Sequence, residues 1–242
     1  MSEQALEITE ENQSFDTSPK RRLYGRRQGR PLRGQRQDTM KTIFPKVQIT
    51  EDQLPQDKTL DPKTLFSNSY DELWFEIGFG SGEHLSALME RHPNHAFLGA
   101  EPFLNGMSNF ILDIADKRHD HVRVFMEDAL KIGESLVDAS VDGIFVLNPD
   151  PWPKARHIKR RIISQATLTV FARILKPGAK IIMATDVDYL ADYMRDQAME
   201  HPAFKRVADT RIMPQDWIPT RYEEKGREAG RSQTYLIFER NA

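Results

Sequence analysis

The chain predicts an α/β protein built on a mostly parallel sheet with helices on both faces, and three observations carry that prediction. From about Leu73 onward, short apolar runs alternate with helical stretches, the pattern of strands joined by crossover helices. A glycine-rich turn lies where the first run gives way to the first helix. Acidic residues stand near the ends of successive runs, where open α/β sheets hold their ligands.

Residues 1–18 carry Glu3, Glu7, Glu10, Glu11 and Asp16 with no Lys or Arg and few large apolar side chains, so they are expected to be disordered. The arm that follows, 19–60, is basic over its first part. Residues 20–46 hold ten Lys and Arg against the single acid Asp38. The stretch Lys20–Gln37 mixes arginine with glycine, proline and one tyrosine; it cannot bury a face, but it can lay guanidinium groups along phosphates. A merely solvating arm is the competing reading.

Residues 61–242 form the expected folded domain. Leu73–Ile77 reads as its first strand, followed by a helix from about Gly82 to Arg91. Ala96–Ala100 is a second strand, with a helix through Phe110, Ile111 and Ile114. Val122–Met126 and Gly143–Leu147 are the third and fourth strands. Ile158–Leu175 is expected to be a helix stopped by Lys176-Pro177-Gly178. Lys180–Ala184 is a fifth strand, Val187–Met199 a helix, and Thr234–Glu239 a last strand.

Composition narrows the function classes. The 242 residues contain 39% hydrophobic side chains, enough for a core, and 29% charged ones. There is no cysteine, which excludes disulfides, thiolate metal sites and cysteine nucleophiles. The pairs His92/His95 and His119/His121 lack a second matching pair, so no metal is expected. No signal-peptide pattern or membrane-length apolar run occurs, which makes the cytoplasm the expected location and a membrane partner unexpected. The net charge of −2 hides the basic arm, whose distribution of charge suits a nucleic-acid partner.

In Glu76-Ile77-Gly78-Phe79-Gly80-Ser81-Gly82, the glycines permit a tight turn and close approach of a ligand to the backbone. Their spacing is not the Gly-x-Gly-x-x-Gly of a pyrophosphate-binding dinucleotide fold, which disfavours an NAD oxidoreductase. Glu101 ends the second strand 19 residues past Gly82, where a carboxylate can accept ribose hydroxyls. With Glu76, Asp128 and Asp150 it would place four acids on one rim, suited to a ligand bearing a sulfonium and an ammonium.

The run from Asn148 through Pro149-Asp150-Pro151-Trp152-Pro153-Lys154 to Arg161 is the most informative in the chain. Three alternating prolines fix a loop that presents Asp150 and Trp152 beside Lys154, Arg156, His157, Lys159, Arg160 and Arg161. A carboxylate beside such a cluster suits a polyanionic substrate whose reacting base must be positioned.

The glycine turn and the acids resemble class I S-adenosylmethionine-dependent methyltransferases. Adding the Pro149–Arg161 run and Thr220-Arg221-Tyr222-Glu223-Glu224-Lys225-Gly226, the chain from about Tyr24 to the C-terminus resembles the bacterial tRNA (guanine-N7)-methyltransferases. That resemblance implies a Rossmann-like, seven-stranded sheet, S-adenosyl-L-methionine as cofactor, and tRNA as partner, methylated at guanine 46 of its variable loop. It implies that Glu76, Gly78, Gly80, Gly82, Glu101, Asp128 and Ala129 meet the cofactor and that Asp150 is the catalytic acid. It further implies that Lys154, Asp186, Thr220, Arg221, Tyr222 and Glu223 hold the target nucleotide. Arg156, His157, Lys159, Arg160 and Arg161 are expected to contact RNA. Two positions depart from the family pattern: Asn148 stands where an aromatic is usual, and Pro102 where an aliphatic is usual. An exocyclic-amine methyltransferase and a non-catalytic RNA-binding module are the alternatives, and both monomer and dimer are compatible with the sequence.

Overall fold

In a computed structural model, which describes residues 23–55, 57–117 and 119–242, seven strands form one sheet. They are β1 (Leu73–Ile77), β2 (Ala96–Ala100), β3 (Val122–Phe125), β4 (Val141–Leu147), β5 (Leu175–Thr185), β6 (Phe204–Thr210) and β7 (Thr234–Arg240), in the order β3-β2-β1-β4-β5-β7-β6. The first five are parallel, while β7 runs antiparallel to β5, and β6 to β7. The acidic segment 1–18 and the arm's Lys20, Arg21 and Arg22 lie outside the described residues.

Alternation within the strands feeds two apolar layers. Leu73, Phe75 and Ile77 face one layer, closed by α5 (Ala129–Ser135), α6 (Gln165–Ile174) and α7 (Asp188–Glu200) through Leu130, Phe171 and Met194. Phe97 and Phe145 face the other, closed by α3 (Glu83–Arg91) and α4 (Leu104–Asp113) through Leu85, Met107 and Phe110. Each such fully buried side chain stabilises the fold by roughly 1.5–3 kcal/mol. The layers place the ends of β1, β2 and β4 side by side, which is where the site forms.

Among the described residues, two short α-helices precede the sheet, α1 (Gln35–Thr42) and α2 (Phe44–Val47). α1 buries nothing. Polar contacts strap the arm to α4 instead: the Leu104 amide donates to the Arg27 carbonyl (2.9 Å), the Gly29 amide to Asn105 Oδ1 (2.6 Å) and Asn105 Nδ2 to the Arg30 carbonyl (2.8 Å). Further on, Phe44, Val47, Ile49, Leu54 and Leu60 enter the sheet's own layers, so the segment expected as an extension completes the core. None of the described helices is long and apolar enough to cross a membrane.

Two expected boundaries move. The helix expected over Ile158–Leu175 begins only at Gln165, while Ala155–Arg160 forms a 3-10 helix. Ser164 sets the new start: its hydroxyl accepts from the Thr167 amide (3.3 Å), and Thr167 Oγ1 accepts from the Ser164 amide (3.0 Å), a reciprocal cap. At the other end, Lys176-Pro177-Gly178 lies within β5, where the pairing with β4 shifts register and Gly178 takes φ +79°. β6, α5 and α8 (Arg221–Glu228) complete the chain and carry no clear sequence pattern.

Gly143 on β4 lies directly beneath the Trp74 indole, which stacks on Phe145 with ring centroids 4.9 Å apart; a Cβ at this position would overlap the indole. Gly143→Ala should therefore lower stability by about 1–3 kcal/mol through overpacking. A urea melt reads this as a lowered midpoint at constant slope, and an unchanged midpoint would show that the indole yields freely.

Candidate active site

A cavity of about 470 Å³ opens beyond the carboxyl ends of β1, β2 and β4. Gly78, Gly80, Glu101, Asp128, Ala129, Asp150 and Tyr222 line it, and Tyr24, Gly25 and Arg26 of the arm form one wall. Its size and its mixed acidic and apolar lining suit a nucleoside-sized ligand.

The floor is built by backbone necessity. Gly78, Gly80 and Gly82 all have positive φ (70°, 60° and 83°), a conformation that favours glycine strongly. Gly82 also abuts the Phe110 ring so closely that a Cβ has no room. Glu101 locks this turn: its Oε2 accepts from the Gly80 amide and its Oε1 from the Phe103 amide, each at 2.8 Å. Burial raises the Glu101 carboxyl to about 7, against the lowering effect of those two amides, and Asp150 and Glu76 raise it further by repulsion. Three carboxylates therefore share one electrostatic neighbourhood.

Asp128 caps α5 by accepting from the Leu130 amide (3.1 Å) and also lines the cavity. Glu76 and Gly82 do not line the cavity. Glu76 is 3% exposed and its Oε2 meets Nδ1 of the equally buried His84 at 2.9 Å. His84 was not singled out from the sequence; its signal is its place two residues after Gly82, in the first turn of α3.

Asp150 opens into the cavity, yet the surrounding protein displaces enough water to raise its carboxyl above the ordinary aspartate range. Its loop is held in an unusual shape, with Asn148 at φ +48° and Trp152 at φ +42°. Arg161 buttresses that shape. It is 7% exposed, donates from Nε to the Pro151 carbonyl (3.0 Å) and from Nη2 to the Trp152 carbonyl (3.4 Å), and covers the Tyr193 ring at 4.4 Å. The expectation that Arg161 faces RNA is thus corrected: loop carbonyls and an aromatic ring draw it inward.

The neighbouring cations divide similarly. The Arg160 guanidinium lies 4.3 Å from the Tyr24 ring centroid and 4.9 Å from that of Trp152, joining the arm to the loop. Lys154, Arg156 and Lys159 are exposed. Partial burial and the charges of Arg160, Arg156 and Lys154 hold His157 below the usual histidine value.

The C-terminal residues surround the cavity more than they enter it. Tyr222 is 67% exposed at the mouth. Thr220 caps α8 through the Glu223 amide (3.1 Å), Arg221 leans toward Glu83 (3.8 Å), and Asp186 accepts from Arg231 Nε (2.7 Å). Glu223, expected to hold the target nucleotide, is instead 2% exposed. It accepts from Trp217 Nε1 (2.8 Å), the Tyr235 hydroxyl (2.6 Å) and Arg227 Nη2 (3.1 Å), so its carboxylate is consumed in anchoring α8. Neither Asp186 nor Lys154 reaches the cavity wall.

The raised Glu101 has a stability signature. Between about pH 4.5, its ordinary value, and about 7, the folded protein holds this proton more tightly than the unfolded chain, so ligand-free stability falls as pH rises through that window. Glu101→Gln removes the titrating group and should flatten this part of the melting-temperature profile, together with a pH-independent loss of stability because its Nε2 cannot accept one of the two backbone amides. An unaltered slope would contradict the assignment.

The geometry agrees with the relationships of the chain. Residues 71–236 match the sequence model of a family described as putative methyltransferases. A tRNA (guanine-N(7)-)-methyltransferase of Rhodospirillum rubrum is 41% identical over 90% of this chain and 88% of its own length. That of Brucella anthropi is 40% identical over 89% and 93%, and that of Agrobacterium fabrum 36% identical over 96% and 99%. Among solved structures, the 16S rRNA methyltransferase KamB shares the fold, with a TM-score of 0.56, 15% identity, and coverage of 72% of this chain and 90% of its own. The chain belongs to the tRNA (guanine-N(7)-)-methyltransferase family.

Proposed function

We propose that the cavity is where this protein transfers a methyl group from S-adenosylmethionine to N7 of a tRNA guanine, the resemblance pointing to guanine 46 of the variable loop, in the cytoplasm. The observation that carries this reading is the convergence of Glu101, Asp128 and Asp150 on one hollow beside the glycine turn, with the basic 154–160 segment at its edge. The bound cofactor supplies a methyl group on positively charged sulfur. The donor set fits it: each Glu101 oxygen accepts one amide and keeps a lone pair for a ribose hydroxyl, Asp128 and Ala129 form the wall for the adenine, and the acids favour a cation over a dinucleotide's phosphates.

Guanine N7 carries an in-plane lone pair and no proton, so no general base is needed to start the reaction. The cofactor would supply its methyl group to N7, leaving the carbon–sulfur electron pair on sulfur, and the guanine ring would acquire the positive charge. Catalysis then rests on alignment and on fixed charge. Asp150 serves both: its carboxylate accepts from guanine N1–H and the exocyclic amine, which selects guanine over adenine, and it offsets the charge growing on the ring. Tyr222 at the mouth and Trp152 in the loop offer faces for the base, while Lys154, Arg156 and Lys159 meet phosphates.

Asp150→Ala should abolish formation of 7-methylguanosine, read by mass analysis of nucleosides from a treated unmodified tRNA, while calorimetric S-adenosylmethionine affinity stays close to wild type. Near-normal turnover would remove Asp150 from the mechanism. Replacing Lys154, Arg156 and Lys159 together by alanine should reduce the salt dependence of tRNA affinity by roughly two in the log–log slope. An unchanged slope would place the phosphates elsewhere.

A further inference from the structure

Asn148 stands where β4 leaves the sheet, two residues before Asp150, and three segments meet on it. Its φ of +48° lies in the left-handed region, which asparagine tolerates better than most side chains. Its backbone amide donates to the Ala184 carbonyl near the end of β5 (2.8 Å). Its side-chain Nδ2 donates to Thr220 Oγ1 (2.9 Å), and its Oδ1 accepts from Nε2 of the buried Gln233 (2.9 Å). Thr220 in turn caps α8, which carries Tyr222, and Gln233 directly precedes β7. One side-chain amide therefore spans the Asp150 loop, the start of the Tyr222 helix and the strand behind them.

We propose that Asn148 is a positioning residue for methyl transfer: its amide fixes the Asp150 loop against the Thr220–Tyr222 segment and so sets the geometry in which guanine meets the acid. The proposal rests on reading Asp150 and Tyr222 as the groups that receive the base. Loop and helix otherwise meet across an open cavity mouth, where Tyr222 is largely exposed. A tie at their roots is what keeps the two from separating when tRNA enters.

The competing explanation is that only the left-handed backbone matters. Asn148→Gly separates the two, since glycine adopts φ +48° without strain but has no amide. Steady-state methylation of unmodified tRNA would be measured for wild type, Asn148→Gly, Asn148→Ala and Asp150→Ala, with S-adenosylmethionine affinity and melting temperature on each. The expected result is that Asn148→Gly and Asn148→Ala each lower kcat by about ten-fold, the scale of a lost side-chain tie. KM for tRNA should change little, because the phosphate contacts remain, and cofactor affinity should stay near wild type; the melting temperature should fall modestly, and further in Asn148→Ala, whose Cβ meets the left-handed backbone. Wild-type kcat in Asn148→Gly would overturn the proposal. So would a fall in kcat accompanied by equal losses of cofactor affinity and melting temperature, which would mark a general structural role. Near-normal turnover of Asp150→Ala would instead overturn the underlying reading of the acid.

Discussion

The carboxylate of Glu101 is the constraint on which the site depends. It ends β2 and reaches back to the amide of Gly80 on the neighbouring turn while also accepting from Phe103, so one side chain fixes the floor of the cavity and the entry to α4. Gly78, Gly80 and Gly82 can make the turn, but they do not hold it. Burying a carboxylate this way costs energy, visible in a carboxyl raised to about 7, and Asp150 and Glu76 add to that cost. On the proposed reading the cost is recovered when a cationic ligand arrives, which makes the acids a site rather than an accident of packing.

Around this floor, the walls come from parts of the chain far apart in sequence. The arm is strapped to α4 by backbone and amide contacts and delivers Tyr24, Gly25 and Arg26 to the cavity. The Asp150 loop is shaped by Arg161 from behind and linked to the arm by Arg160 from above. The third wall, α8, stands on the buried Glu223, which gathers Trp217, Tyr235 and Arg227. Two residues that read as RNA-facing or substrate-facing, Arg161 and Glu223, thus act one layer back, holding the surfaces that others present.

The parts legible in the sequence are those whose pattern follows from burial on both faces. β1, β2 and β4 read as apolar runs, and the glycine turn and the Asp150 loop announced themselves by backbone demands. β6 was not legible from its residues because it is an edge strand that displays Lys205, Arg206 and Asp209; the seventh strand was implied only by resemblance. α8 buries just Glu223 and Gly226, so it shows no apolar stripe, and α5 is too short and too buried to show one. Direction was the other loss. Arg161 lies within a run of exposed cations and nothing in its spacing says that it turns inward; only the carbonyls of Pro151 and Trp152 decide that. His84 was passed over for the same reason, since its partner Glu76 lies across the turn.

The central claim is that a hollow lined by the carboxyl groups of Glu101, Asp128 and Asp150 accepts a cationic methyl donor. Its most direct test is calorimetric titration of the wild-type protein with S-adenosylmethionine at pH 6, in buffers of different ionisation enthalpy. At this pH the cofactor's amine is already protonated, while Glu101, with its carboxyl near 7, still holds its proton in the free protein. The account predicts release of about one proton on binding, seen as heats that track the buffer's ionisation enthalpy. Identical heats in every buffer would contradict it.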